Sequence, residues 1–188
     1  RTDFNSFGEN KIGVITFNYD RSLEHFLFEK IMNTYQDISE LQCAETISKI
    51  PIIHIYGQVG YLPWQTKEPK RNYSPTIDLD QLKVCSNKIR IIHEATNDED
   101  PILQEARELL KNAERIYFLG YGYHDLNNRR LDISGLNDTG KEITGTRLDL
   151  TDKQTTEIME RTSNKVKLDR ISSGSPALGF LREYVVLN

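Results

Sequence analysis

Two polar side chains follow directly after the first strongly apolar segment of the chain. Residues 12–17 are rich in β-branched and aromatic side chains, and Asn18 and Asp20 come next. A carboxamide and a carboxylate two residues apart at a strand-to-helix turn can hydrogen-bond a ribose hydroxyl or an amide in one crevice. The competing interpretation is local, with Asp20 capping the next helix and Asn18 adopting a turn conformation. The spacing alone favours the local interpretation.

A second apolar segment, residues 50–56, brings a histidine to a strand end. It closes with His54, Ile55, Tyr56 and Gly57, and strand alternation predicts His54 and Tyr56 on one face. His54 is a candidate general base because the ordinary pKa of histidine, about 6.5, is close to neutral pH. A single histidine is nevertheless more often structural. Gly57 either lets a ligand approach the backbone or forms a turn.

A third apolar segment, residues 115–119, ends in a glycine turn. The turn begins Gly120-Tyr-Gly122, and Asn127 follows five residues later. Such a turn after a strand can bring ribose or phosphate oxygens close to backbone N–H groups. It lacks the third glycine and the acidic residue of a Rossmann fingerprint, so it is a weak signal by itself.

The elements that must position these residues alternate along the chain. The sequence predicts strands at 12–17, 50–56, 88–92, 115–119 and 165–169 and helices at 20–33, 101–113, 151–161 and from Ser175 onward. In the first helix the predicted apolar stripe is Leu23, Phe26, Leu27 and Ile31. The alternation predicts an α/β fold, a mostly parallel sheet flanked by helices, as a single domain over 1–188. Residues 58–87 hold three prolines and no clear period, which predicts an irregular insertion or lid.

Composition excludes several classes of protein. The 188 residues carry a net charge of −4, so no global basic field favours nucleic acid or an anionic membrane. No apolar run approaches the roughly 18 residues that span a bilayer. Cys43 and Cys85 are far apart, which excludes a zinc site built on cysteines and argues against a disulfide framework. We therefore expect a cytoplasmic protein without a metal.

Taken in order, the three strand ends resemble the sirtuin-like NAD-binding family, in particular its bacterial branch without zinc. The matching motifs are Thr-Phe-Asn-Tyr-Asp, His-Ile-Tyr-Gly and Leu-Gly-Tyr-Gly, and the resemblance covers about residues 12–131. It implies a Rossmann-like fold with an NAD site. Asn18 would lie near the nicotinamide ribose, and Asp20 would contact the nicotinamide amide.

The same resemblance assigns the remaining candidate residues. Gly120 and Gly122 would lie near the adenosine ribose, with Asn127 as a further contact, and Tyr56 and Gly57 would line the site. The family breaks the glycosidic bond to nicotinamide through an oxocarbenium-like state, with one base steering the acceptor. In the bacterial branch such domains often act in NAD-depleting antiviral defence.

Three departures from the family pattern affect the expected activity. The family histidine directly precedes the glycine, where this chain has Tyr56, and His54 lies two residues earlier. The zinc module carries four cysteines, whereas residues 57–87 carry one, which argues against protein deacetylation. Nothing before Ile12 supplies the family's Gly-Ala-Gly phosphate loop, so the expectation is a domain that lacks its N-terminal strand and this loop, either as an N-terminally truncated fragment or as a copy that has lost them.

Two functions follow as hypotheses, beside a purely structural scaffold. The first is an NAD hydrolase that releases nicotinamide and ADP-ribose, with Asn18, Asp20 and His54 as its catalytic residues. The second is a module without catalysis that senses NAD or ADP-ribose, or binds a protein partner or a fused domain. Oligomerisation stays open in both.

Overall fold

The chain folds into two compact units, residues Arg1–Ile102 and Leu103–Asn188. The computed structural model describes residues 3–74, 76, 78–90, 100–137, 140–147, 150–168 and 177–184. Small parallel sheets are flanked by helices, so the predicted α/β class with parallel strands is confirmed. None of the helices in these ranges is long and apolar enough to cross a membrane.

Unit 1 is built on one strand–helix–helix–strand connection. Its elements are α1 (Phe4–Phe7), β1 (Val14–Thr16), α2 (Ser22–Thr34), α3 (Glu40–Ser48), β2 (Ile52–His54), α4 (Leu79–Ser86) and the start of α5 (Pro101–Asn112). Strands β1 and β2 pair in parallel, with Thr16 opposite His54. This register brings the carboxyl ends of both strands, and the polar residues that follow β1, to the same edge.

Helix α2 buries a different face from the one that its apolar stripe predicted. Glu24, Phe28 and Ile31 are buried, whereas Leu23 is 38% and Phe26 63% exposed. The core is formed with Cys43 and Ile47 of α3, a helix that the sequence patterns did not predict. The predicted stripe was wrong for its N-terminal half because a glutamate occupies the buried position one helical turn before Phe28.

The segment 58–87 is attached to helix α2. The Arg21 guanidinium is buried and donates to the backbone carbonyls of Tyr61, Arg71 and Asn72. The ring of Trp64 stacks on Phe28 with centroids 4.9 Å apart. The segment also contains helix α4, so it is not irregular throughout. In place of the strand predicted at 88–92, Ile89 forms an isolated bridge with Gly57, and residues 91–92 lie outside the described ranges.

In unit 2, two successive connections each join one strand to a parallel neighbour. After the end of α5 come β3 (Arg115–Phe118), α6 (Asp125–Arg130), a 3-10 turn (Ile133–Gly135), β4 (Glu142–Gly145), α7 (Asp152–Arg161), β5 (Lys167–Leu168) and α8 (Ala177–Tyr184). The strand order is β3-β4-β5, with both pairs parallel. The centre of this sheet is β4, a strand that the sequence patterns did not predict. Ser175, where the last helix was predicted to begin, lies outside the described ranges.

Candidate functional site

The turn after β1 carries Asn18 and Asp20 and is held by its backbone. The Asn18 N–H donates to the Thr16 hydroxyl oxygen at 3.1 Å, and the Tyr19 carbonyl accepts from the Val59 N–H at 2.9 Å. Asn18, Tyr19 and Asp20 are all exposed. The backbone is therefore fixed on its protein side, while the two polar residues lie at the surface.

Asp20 has a local role as well as an exposed position. Its carboxylate accepts from the Ser22 N–H at 2.9 Å, in the first turn of α2. Hydrogen bonds from the Ser22 hydroxyl and N–H lower the pKa of Asp20 below its ordinary value, and the charge of His54 acts in the same direction. Asp20 therefore contacts the start of α2 as the local interpretation expected, although the N-cap position itself is Arg21, whose side chain makes no capping hydrogen bond. The carboxylate is also ionised at neutral pH and carries a fixed negative charge at the strand end.

His54 lies at the end of β2 and is buried, with both ring nitrogens in contact with protein groups. Its Nδ1 is 2.8 Å from the backbone oxygen of Asn18, and its Nε2 is 2.7 Å from Oε1 of Glu24. A carbonyl oxygen can only accept, so Nδ1 carries a proton. Nε2 and the Glu24 carboxylate then share the second proton, either as an imidazolium and a carboxylate or as a neutral pair.

The surroundings of His54 act in opposite directions on its charge. Burial is the largest influence and favours the neutral ring. The hydrogen bonds to Glu24 and Asn18, together with the negative charges of Glu24 and Asp20, outweigh burial and raise the pKa of His54 above 6.5. These contacts therefore favour the imidazolium form of His54 against burial, in a site where both side chains are at most 5% exposed.

This geometry bears directly on the base role suggested for His54. A general base needs a nitrogen lone pair within reach of the substrate proton. Here Nδ1 faces the Asn18 carbonyl and Nε2 faces Glu24, so one contact must break before either nitrogen can accept a proton. The arrangement favours a role for His54 in holding the turn. Glu24 was missed in the sequence, where only its spacing to Phe28 and Ile31 marks it as inward-facing.

Tyr56 and Gly57 continue from the end of β2. Tyr56 is half-buried, with its ring packed edge-on against Phe17 at 5.5 Å between centroids. Gly57 has φ +72°, and a Cβ there would lie 1.8 Å from the Lys88 carbonyl oxygen. The close approach at Gly57 is therefore made by the chain itself, which supports the turn interpretation of this glycine.

In unit 2 the predicted glycine turn follows β3. Gly120 has φ +58°, and a Cβ at Gly120 or Gly122 would meet no atom within 4 Å. The Gly120 N–H already donates to the Thr146 hydroxyl at 2.9 Å. Asn127 is half-buried in α6. The turn thus has open space beside both glycines, although the Gly120 N–H is already engaged.

A cavity of about 280 Å³ begins beside this turn, at the carboxyl end of the unit 2 sheet. Its lining from the turn, the first residue of α6 and helix α7 includes Gly122, His124, Asp125, Gln154, Glu157 and Arg161. Asp125 and Arg161 are paired at 3.4 Å. The volume is close to the lower end of the range for ligand pockets, about 300 Å³, and the lining offers donors and acceptors of both charges.

Neither a metal site nor a relative among known proteins identifies the function. Among the residues described above, no group of three or more His, Cys, Asp or Glu side chains is arranged to hold a metal ion. Comparison of the chain with protein-family models, curated proteins and solved structures gives no match. The function is therefore inferred from the geometry of the strand ends.

Proposed function

We propose that this protein has a sirtuin-like, Rossmann-like fold that binds NAD and hydrolyses it to nicotinamide and ADP-ribose. The observation that carries the proposal is the exposed pair Asn18 and Asp20 at the carboxyl end of β1, in a parallel sheet. Ligands of open parallel sheets bind at that edge.

The charge of Asp20 suits this reaction. Cleavage of the glycosidic bond develops positive charge on the ribose through an oxocarbenium-like state. A carboxylate that Ser22 keeps ionised can stabilise that charge or orient the nicotinamide amide. Asn18 supplies both a donor and an acceptor for the ribose hydroxyls. Water attacks such a cation readily. Hydrolysis therefore demands less of a general base than transfer of the ADP-ribosyl group to a less nucleophilic acceptor.

In unit 1 we assign Tyr56 to the nicotinamide side of the β1 strand end, while Gly57 keeps its role in the turn. The glycine turn of unit 2, taken by itself, is a second candidate for binding ribose or phosphate oxygens of a nucleotide, through Gly120, Gly122 and Asn127. The open space beside the two glycines supports this assignment, since a ligand can approach the backbone there. No metal takes part in the proposed reaction.

The test is nicotinamide release from NAD by the full-length gene product, measured beside three variants. Asp20→Asn keeps an acceptor for the Ser22 N–H but removes the charge, so we expect release to fall about 100-fold with little change in stability. Nicotinamide release by the Asn18→Ala variant is expected to fall by a similar factor. Asn33→Ala, an exposed asparagine on α2, is the matched control and should be unchanged. Equal release from the protein and its Asp20 variant would contradict the hydrolase assignment.

A sensor without catalysis is the second candidate, favoured by the engaged nitrogens of His54 and by Tyr56 in place of the family histidine. Such a module would bind NAD or ADP-ribose, or a protein partner, without turnover. Calorimetric titration with NAD and ADP-ribose, followed by nicotinamide analysis of the same sample, separates the two candidates. Binding with no released nicotinamide supports the sensor, and binding with release supports the hydrolase.

A further inference from the structure

The pair Glu24 and His54 sits where an apolar pair would be less costly. Both side chains are nearly fully buried, and Oε2 of Glu24 has no hydrogen-bond partner in the described part of the chain. Removing two charges from water costs about as much as their attraction returns, so an apolar pair of similar volume is often equally stable or more stable. The free energy of folding therefore does not explain why a charged pair, and not an apolar one, occupies this position.

The pair makes a directional hydrogen bond to one backbone carbonyl, which an apolar pair cannot make. His54 Nδ1 donates to the Asn18 carbonyl, which belongs to the peptide unit between Asn18 and Tyr19. The orientation of that peptide plane sets the backbone direction from Asn18 towards Asp20. Glu24, on the first turn of α2, holds Nε2 and so fixes both the ring orientation and the proton on Nδ1.

We propose that Glu24, acting through His54, is a positioning residue for the turn that presents Asn18 and Asp20. The inference rests on the proposed function for its effect on catalysis, and on the contacts alone for its effect on the turn. His54 is then a positioning residue as well, since its Nδ1 proton is committed to the protein and never reaches the substrate.

Two double variants separate this role from simple support of the fold. Glu24→Leu with His54→Phe fills the same space without a donor. Glu24→Leu with His54→Asn places a carboxamide N–H where Nδ1 stood, so the new side chain can donate to the Asn18 carbonyl again. This second variant buries an extra polar oxygen and should be the less stable of the two. A merely structural role predicts that activity follows stability.

The positioning role predicts that activity depends on whether the side chain at position 54 can donate a hydrogen bond to the Asn18 carbonyl. The Leu/Phe variant should stay folded by circular dichroism yet lose about 100-fold in kcat for nicotinamide release, the size expected for a misplacement of about 1 Å. The Leu/Asn variant should recover most of that loss. Full activity in the Leu/Phe variant would overturn the proposal, as would equal loss in both variants.

A second readout does not depend on NAD chemistry. The amide N–H of Tyr19 belongs to the same peptide unit as the Asn18 carbonyl, so its NMR chemical shift reports the hydrogen bond from His54. We expect this signal to move in the Leu/Phe variant and to return close to its original position in the Leu/Asn variant. If the wild-type protein released no nicotinamide, the proposed function would fail, and the Tyr19 signal alone would decide the positioning role. An unmoved signal in the Leu/Phe variant overturns it.

Discussion

At Gly57 the backbone leaves no room for a side chain, and two separate causes make any substitution costly. Its φ of +72° disfavours every residue with a Cβ, and that Cβ would lie 1.8 Å from the Lys88 carbonyl oxygen. We predict that Gly57→Ala lowers the free energy of unfolding by more than about 2 kcal/mol. The measurement is urea unfolding without ligand.

Two other glycines provide a graded control for this prediction. Gly120→Ala meets open space but keeps a positive φ of +58°, so it should cost about 1 kcal/mol. Gly122→Ala meets open space, and its effect should be the smallest of the three. A ranking in which Gly122→Ala were as damaging as Gly57→Ala would contradict this explanation of the two turns.

The His54–Glu24 pair predicts how stability varies with pH. Because its folded-state pKa is raised above 6.5, His54 contributes stability that is fully present below about pH 6.5 and is lost as the pH rises through the folded-state value. Glu24→Gln removes the partner charge. The difference in urea midpoint between wild type and Glu24→Gln should thus be largest near about pH 5.5 and shrink towards about pH 8.5.

The other three histidines are common to both proteins, so their titration largely cancels in this difference. Asp20, which also faces His54 electrostatically, is unchanged in the variant and stays ionised over this range. A difference that grew with increasing pH would mean that His54 is buried in its neutral form.

At the scale of elements, Arg21 attaches the segment from Tyr61 to Asn72 to helix α2. Its buried guanidinium donates to three backbone carbonyls, and hydrogen bonds from a charged group are worth about 1.5–3 kcal/mol each where they are fully buried. We predict that Arg21→Met releases the segment and speeds tryptic cleavage after Lys70 or Arg71. Lys30→Met also removes one tryptic site, from an exposed position on α2, and should leave the cleavage rate unchanged.

The elements that sequence patterns missed have identifiable physical causes. Strand β4 lies at the centre of its sheet, yet it reads Glu-Ile-Thr-Gly and has a single large apolar residue. Gly145 is small because the hydroxyl of the buried Tyr123 occupies the space where its Cβ would be. The strand's core is thus supplied partly by a tyrosine distant in sequence, and a pattern read along the strand cannot reveal it.

Helix α3 is a different case, because a local signal was present. Ser39 and Gln42 form a capping box, with the Ser39 hydroxyl accepting from the Gln42 N–H and the Gln42 side chain accepting from the Ser39 N–H. The same spacing at Thr151 and Gln154 forms the capping box at the start of α7, the helix predicted over 151–161. Cap residues therefore predict these helix starts where the apolar pattern is weak.

For the whole molecule, the sequence predicted the class of fold and the polar residues that follow β1, but it did not predict the buried contacts between Glu24, His54 and the Asn18 carbonyl. Asn18 and Asp20 were predicted from a strand followed by polar residues, a signal contained in nine consecutive positions. The contact from Glu24 to His54 joins residues 30 positions apart. Such a contact depends on the parallel register of β1 with β2 and on which face of α2 turns inward, and neither follows from local spacing.

The proposed function also makes a prediction for the stability of the whole molecule. A ligand that binds only the folded state stabilises it by RT ln(1 + [L]/Kd), which is about 2.7 kcal/mol at about 100 times Kd. We predict that excess NAD raises the thermal unfolding midpoint of the wild-type protein, and that ADP-ribose raises it less because it lacks the nicotinamide. Asn18→Ala should reduce the shift with NAD, since its carboxamide is assigned to the nicotinamide ribose.

Asn33→Ala again serves as the matched control, because it removes an exposed carboxamide from the same unit. Its NAD shift should equal that of the wild type. Fast scans started at low temperature limit the loss of NAD through turnover, so the shift reports binding in both the hydrolase and the sensor. A shift of equal size in Asn18→Ala and the wild type would place the bound nucleotide away from the β1 strand end, and the assignment of Asn18 would then be wrong.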